Sequence, residues 1–155
     1  MHWNPGSAEN PNLDDGVALG YLTLIIGAHS YYEGSMATAS EVFNEYLSAF
    51  ESGDMDRARA LVADEFSFKG PMLQIDGKDA FFEAVSDLAS IIKGHTMLKQ
   101  FEDGDEVCSI YDFEIETPAG AGSVTMSEWC TVRDGRLASA RLVFDTAAFN
   151  ALMPA

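Results

Sequence analysis

The sequence predicts an α+β fold in which a curved, mostly antiparallel sheet wraps around helices and leaves an apolar pocket between the layers. Three observations carry this. Two helical patterns follow one another directly between residues 38 and 64, a third covers residues 78–92, and from His95 the apolar period changes from helical to alternating. Helices followed by a run of strands is the order of one helical layer packed on one sheet.

Thr38 and Glu41 form a capping box, and Val42, Phe43, Tyr46, Leu47 and Phe50 recur at helical spacing as one apolar face. Gly53 supplies a left-handed stop. Asp54 caps a second helix, with Ala58, Leu61 and Val62 as its apolar positions, ending near Asp64. Phe66 and Phe68 alternate with polar residues in a short strand broken at Gly70-Pro71, and a brief strand over residues 72–75 leads to the Asp76-Gly77 turn. The third helix carries Phe81, Phe82, Val85, Leu88, Ile91 and Ile92 on one stripe and stops at Gly94. Four strands follow at about 95–101, 106–116, 123–132 and 136–145. Their turns carry D-G at 103–104, P-A-G-A-G at 118–122 and D-G at 134–135, the last a two-residue hairpin signal. T-A-A-F-N-A-L-M closes the chain as a short helix or turn.

One domain is expected over residues 36–155, with residues 1–35 as an N-terminal extension. The apolar run at 17–28 is too short to span a bilayer, and Asp14 and Asp15 precede it where a secretion signal would be positive. It reads either as an element packed on the domain or a partner, or as sequence ahead of a start at Met36. The net charge of -16 argues against nucleic acid and anionic membranes as partners. Cys108 and Cys130 lack metal-ligand spacing and read as free thiols of a reducing compartment, so a cytoplasmic location is expected.

A two-residue turn at 134–135 sets Glu128 opposite Arg141 and Trp129 opposite Ala140. The face with Thr125, Trp129, Leu142 and Phe144 is expected to look inward. The face with Glu128, Cys130, Arg141 and Val143 is expected to be convex, pairing with a second copy of the chain. A single β-bulge would turn part of this over. On the preceding strand Tyr111 and Phe113 share the apolar face, while Asp112, Glu114 and Glu116 form a solvated acidic one, with no metal site.

The segments Y-L-S-A-F-E-S-G-D, A-D-E-F-S-F, D-G-K-D-A-F-F, R-D-G-R-L and F-D-T-A-A-F, in this order over about residues 38–152, resemble the SnoaL-like branch of the nuclear-transport-factor-like superfamily. The resemblance implies a cone-shaped α+β barrel, with three N-terminal helices on a curved sheet around an apolar pocket, often as a homodimer. Members include polyketide cyclases, ketosteroid isomerase, limonene epoxide hydrolase and noncatalytic binders, so the fold does not give the function. Tyr46 stands where the family carries its helix-one tyrosine. The isomerase's base position falls on Gly70 and its oxyanion-hole acid near Thr125. The epoxide hydrolase's Asp-Arg-Asp set falls near Ser109, Tyr111 and Leu142, so neither machinery is carried over. Asp145 is a loose counterpart of the SnoaL-type acid/base.

The catalytic candidates are therefore Tyr46, as donor to a ligand carbonyl, Asp145, and Glu128 if a bulge turns it inward. His95 is a further candidate base at the pocket mouth. Each has a structural alternative: a core tyrosine, a helix cap, an ion pair with Arg141, and a surface histidine. The expected pocket comprises Tyr46, Phe50, Phe68, Phe82, Tyr111, Phe113, Thr125, Trp129, Leu142 and Phe144. No cofactor is implied. The expected partner is a small apolar molecule, either a carbonyl-bearing polyketide or terpenoid turned over by acid/base chemistry, or a ligand merely held by a binding or dimerisation module.

Overall fold

The computed structural model describes residues 36–154; the expectations for the apolar run at 17–28 lie outside the described residues. In chain order the elements are α1 (Ala39–Glu51), α2 (Met55–Ala60), β1 (Val62–Lys69), β2 (Gln74–Asp76), α3 (Lys78–Val85), a 3-10 turn (Leu88–Ser90), β3 (Ile92–Asp103), β4 (Glu106–Thr117), β5 (Gly120–Arg133), β6 (Arg136–Phe144) and α4 (Thr146–Leu152). The six strands form one sheet in the order β2-β1-β6-β5-β4-β3, antiparallel except where β1 lies parallel to β6. This is the α+β architecture expected, with the helices on a mixed, mostly antiparallel sheet.

Local chemistry explains the helix starts. Thr38 Oγ1 accepts from the Glu41 amide at 3.2 Å and Glu41 Oε2 accepts from the Thr38 amide at 2.9 Å, closing the capping box. Asp54 caps α2 by accepting from the Arg57 amide at 3.1 Å. Two helices end earlier than their apolar patterns suggest, because the sheet takes their last residues. The Leu61 carbonyl accepts from the Leu137 amide at 2.8 Å, so β1 begins at Val62 and not near Phe66. Likewise Ile91 accepts from the Glu116 amide at 2.9 Å and Ile92 pairs with Ile115, so β3 begins before Gly94.

At the other end of β4 only Pro118-Ala119 turn, and β5 starts at Gly120, earlier than the P-A-G-A-G run suggests. Gly122 lies under Leu152 of α4, where a β-carbon would stand 3.0 Å from the leucine methyl. The Asp134-Gly135 hairpin forms as expected, both residues holding positive φ, 51° and 71°.

One irregularity decides which side chains face inward. Val132 pairs with Leu137, but Thr131 pairs with Ser139, leaving Ala138 as an extra residue on β6. Beyond this bulge Cys130 faces Ala140, Glu128 faces Leu142 and Trp129 faces Arg141. The concave face of β5 is Val124, Met126, Glu128, Cys130 and Val132, all buried, and it packs with Val107, Tyr111, Phe113 and Ile115 of β4 against Val42, Phe43, Tyr46 and Phe50 of α1. The assignment from the turn alone was thus half inverted. Leu142 and Phe144 do face inward, but Trp129 and Thr125 lie on the outer face with Arg141 and Val143.

Candidate functional site

Between α1, α3, α4 and the concave face of the sheet lies a cavity of about 330 Å³. Tyr46, Leu47 and Phe50 enter it from α1, Phe68 from β1, and residues 70–73 from the following loop. Phe81, Ala84, Val85 and Leu88 come from α3 and the 3-10 turn, Tyr111 and Phe113 from β4, Met126 and Glu128 from β5, Leu142 and Phe144 from β6, and Phe149 from α4. This size is at the lower end of small-molecule sites, roughly 300–1,000 Å³.

Glu128 is the one carboxyl group on that wall among the described residues. It is 7% exposed, and one of its oxygens, Oε2, accepts a hydrogen bond from the Tyr111 hydroxyl at 2.7 Å. Burial disfavours its charged form and pushes its pKa from an ordinary 4.5 up to about 7, with the Tyr111 hydrogen bond pulling the other way. The site therefore holds a carboxyl group able both to give and to take a proton near neutrality. Tyr111 is itself raised well above the ordinary tyrosine range, first by burial and then by the nearby Glu128 carboxylate. The same two causes raise Tyr46, which lines the cavity, is 7% exposed and makes no hydrogen bond to a described residue.

Four of the expected site residues lie elsewhere. Trp129 is 48% exposed on the outer face, and Thr125, also outward, donates to Asp112 Oδ1 at 2.5 Å. Phe82 is buried behind the wall with the Arg59 guanidinium 5.1 Å over its ring, and its neighbour Phe81 takes the lining position. Asp145 is exposed and caps α4, accepting from the amides of Ala147 at 2.9 Å and Ala148 at 3.2 Å, so it is no acid/base group of this cavity. The expected Glu128–Arg141 ion pair does not form, because the bulge sends Arg141 to the opposite face. His95 also stays off the wall. Its Nδ1 lies 2.5 Å from Glu51 Oε2, and its ring meets Tyr111 edge-on at 6.1 Å.

Phe81, Met126 and Phe149 were not anticipated as lining. For Met126 the signal was present: even positions 124–132 read V-M-E-C-V, while odd positions 125–131 read T-S-W-T. Trp129, set on one face with Leu142 and Phe144 by the turn count, made the odd set look like an inner face. Among the described residues no cluster of three His, Cys, Asp or Glu side chains could hold a metal. Cys108 and Cys130 are free thiols, half-buried and buried.

A helical layer on a curved mixed sheet, with an apolar cavity between them, defines a protein of the nuclear-transport-factor-like class. Within that class the chain belongs to the SnoaL-like domain family, whose model matches residues 43–140. A crystal structure from Kribbella flavida DSM 17836 is 30% identical, covering 75% of this chain and 93% of that one, with a TM-score of 0.66. TerC, crystallised with polyporic acid, is 18% identical over 75% of this chain and 98% of its own, with a TM-score of 0.66. An epoxide hydrolase of M. tuberculosis, described as LEH-like, is 19% identical over 74% of this chain and 88% of its own, with a TM-score of 0.64. At these identities the last two show a shared fold. No curated protein matches the chain.

Proposed function

We propose that this SnoaL-like domain binds a small, apolar, carbonyl-bearing molecule and moves a proton on it with its own side chains. Glu128 is the acid/base group. Tyr111 holds it in place, and Tyr46 donates to the ligand oxygen as charge develops there. The observation that carries this reading is a buried carboxyl, hydrogen-bonded at 2.7 Å by Tyr111, on the wall of an otherwise apolar cavity. Burial of an acid in such a wall costs stability, and a chain that only packed its core would do better with leucine there. TerC, crystallised with polyporic acid, and the LEH-like epoxide hydrolase share this fold, which supports an organic ligand, a polyketide- or terpenoid-like compound, in the present case.

The test uses an enolisable ketone, 4-phenylbutan-2-one, in deuterated buffer. Wild-type protein is expected to speed deuterium incorporation next to the carbonyl, with a pH midpoint near 7. Glu128→Gln is expected to lose the acceleration by about 10²-fold or more. Binding of the ketone without exchange in the wild type would reject the catalytic reading and leave a noncatalytic binder.

A further inference from the structure

Charge is treated asymmetrically by this cavity. Its walls carry six phenylalanines (Phe50, Phe68, Phe81, Phe113, Phe144 and Phe149), two tyrosines and one carboxyl group. Among the described residues no lysine, arginine or histidine lines it. An anionic ligand would therefore meet Glu128 with no counter-charge. A cation would meet the opposite situation, because aromatic faces attract ammonium groups and a carboxylate waits among them.

The groups facing Glu128 support this. They are Tyr111 from β4, Tyr46 from α1 and Cys130 along β5, and burial pushes all three upward, so they stay neutral at pH 7. The lining residues of α3, β6 and α4 are apolar. Once ionised, Glu128 has no positive partner among the described residues, and a buried charge without a partner is costly. An ammonium group supplies that partner. The chain's net charge of -16 also raises the local concentration of cations around it.

We propose that the cavity also takes a small hydrophobic amine, bound as its cation, with the ammonium donating to Glu128 and its apolar body among the phenylalanines. This ligand class rests on the same cavity as the acid/base reading but not on its chemistry. The two classes respond differently to pH. A neutral carbonyl compound, held by Tyr46 and the apolar wall, carries no charge to pair with Glu128 and gains no affinity as pH rises past about 7. An alkylamine keeps its own proton to about pH 10 and needs Glu128 ionised, so it binds more tightly through the same range.

The experiment is titration calorimetry of the full chain with 3-phenylpropylamine and its neutral counterpart 3-phenylpropan-1-ol, at pH 5.5 and pH 8. The amine is expected to bind about tenfold or more tightly than the alcohol at pH 8, and to lose about tenfold on going to pH 5.5. Glu128→Gln, checked by circular dichroism for an intact fold, is expected to abolish the preference while retaining alcohol binding. Equal affinities at pH 8, or a preference that persists in Glu128→Gln, overturns the proposal. Alcohol binding alone overturns it while leaving the acid/base reading standing. Failure of both ligands and of the ketone overturns both. The wild-type pH dependence is an independent reading should the variant not fold.

Discussion

A carboxyl group among phenylalanines imposes a cost that changes sign-sensitively with pH. Glu128 keeps its proton up to about pH 7 in the folded protein but only to an ordinary 4.5 in the unfolded chain. Between those values the native state binds more protons than the unfolded one, so the stability owed to this group falls as pH rises and levels off above 7. The full loss is about 3 kcal/mol. Glu128→Gln, which still accepts from Tyr111, is expected to flatten that part of the curve, so denaturant midpoints at pH 5 and pH 8 for both proteins check it. Tyr111→Phe works in the other direction. Its hydrogen bond favours the charged form, so its removal is expected to raise the Glu128 midpoint by about one pH unit, read by carboxyl carbon chemical shift. At this scale the sequence was only partly legible. Tyr46, Tyr111, Phe50, Phe68, Phe113 and Phe144 were legible as lining while Phe81 and Phe149 were not, and the environment of Glu128 depends on which face it occupies, which is set by strand pairing.

Strand pairing is where local signals gave out. The capping box at Thr38 and Glu41, the Asp134-Gly135 hairpin and the alternation of β4 are decided within a few residues, and they formed as read. The bulge at Ala138 is decided by two neighbours of β6 at once. On one side β5 fixes Thr131 against Ser139, and on the other the parallel strand β1 sets Val62 against Leu137 and Phe68 against Ala140. No hairpin count sees β1. The same long-range demand ends the two helical patterns at Leu61 and Ile91, whose carbonyls accept from the Leu137 amide of β6 and the Glu116 amide of β4. A direct check of the register is Arg141→Ala. With Arg141 on the outer face, this change is expected to leave the Glu128 midpoint in place, whereas an inner-face ion pair would raise it on loss of the cation. For α4, Asp145→Ala removes a cap and not a proton donor. It is expected to cost about 1 kcal/mol and to leave the pH profile of deuterium exchange unshifted.

The outer face of the sheet raises the question of assembly. Phe101, Cys108, Trp129 and Arg141 lie in one row across β3, β4, β5 and β6. Phe101, Trp129 and nearby Leu98 and Val143 are all exposed. We propose that a second copy of the chain covers this face, in the convex-face pairing expected from the sequence but with the Trp129 side, not the Glu128 side, at the contact. A twofold arrangement sets the same row against itself, so each tryptophan can meet apolar surface or the arginine of its partner. The charge argues for a specific salt response. Two chains of -16 repel, and salt screens that repulsion while leaving apolar burial intact. Dimerisation is therefore expected to strengthen from 20 mM to 500 mM sodium chloride, as read by sedimentation equilibrium. Trp129→Glu is expected to give monomers at both salt concentrations while ketone binding survives, because the cavity lies on the other side of the sheet. A wild-type chain that stays monomeric at 500 mM salt would reject the second copy as the occupant of this face.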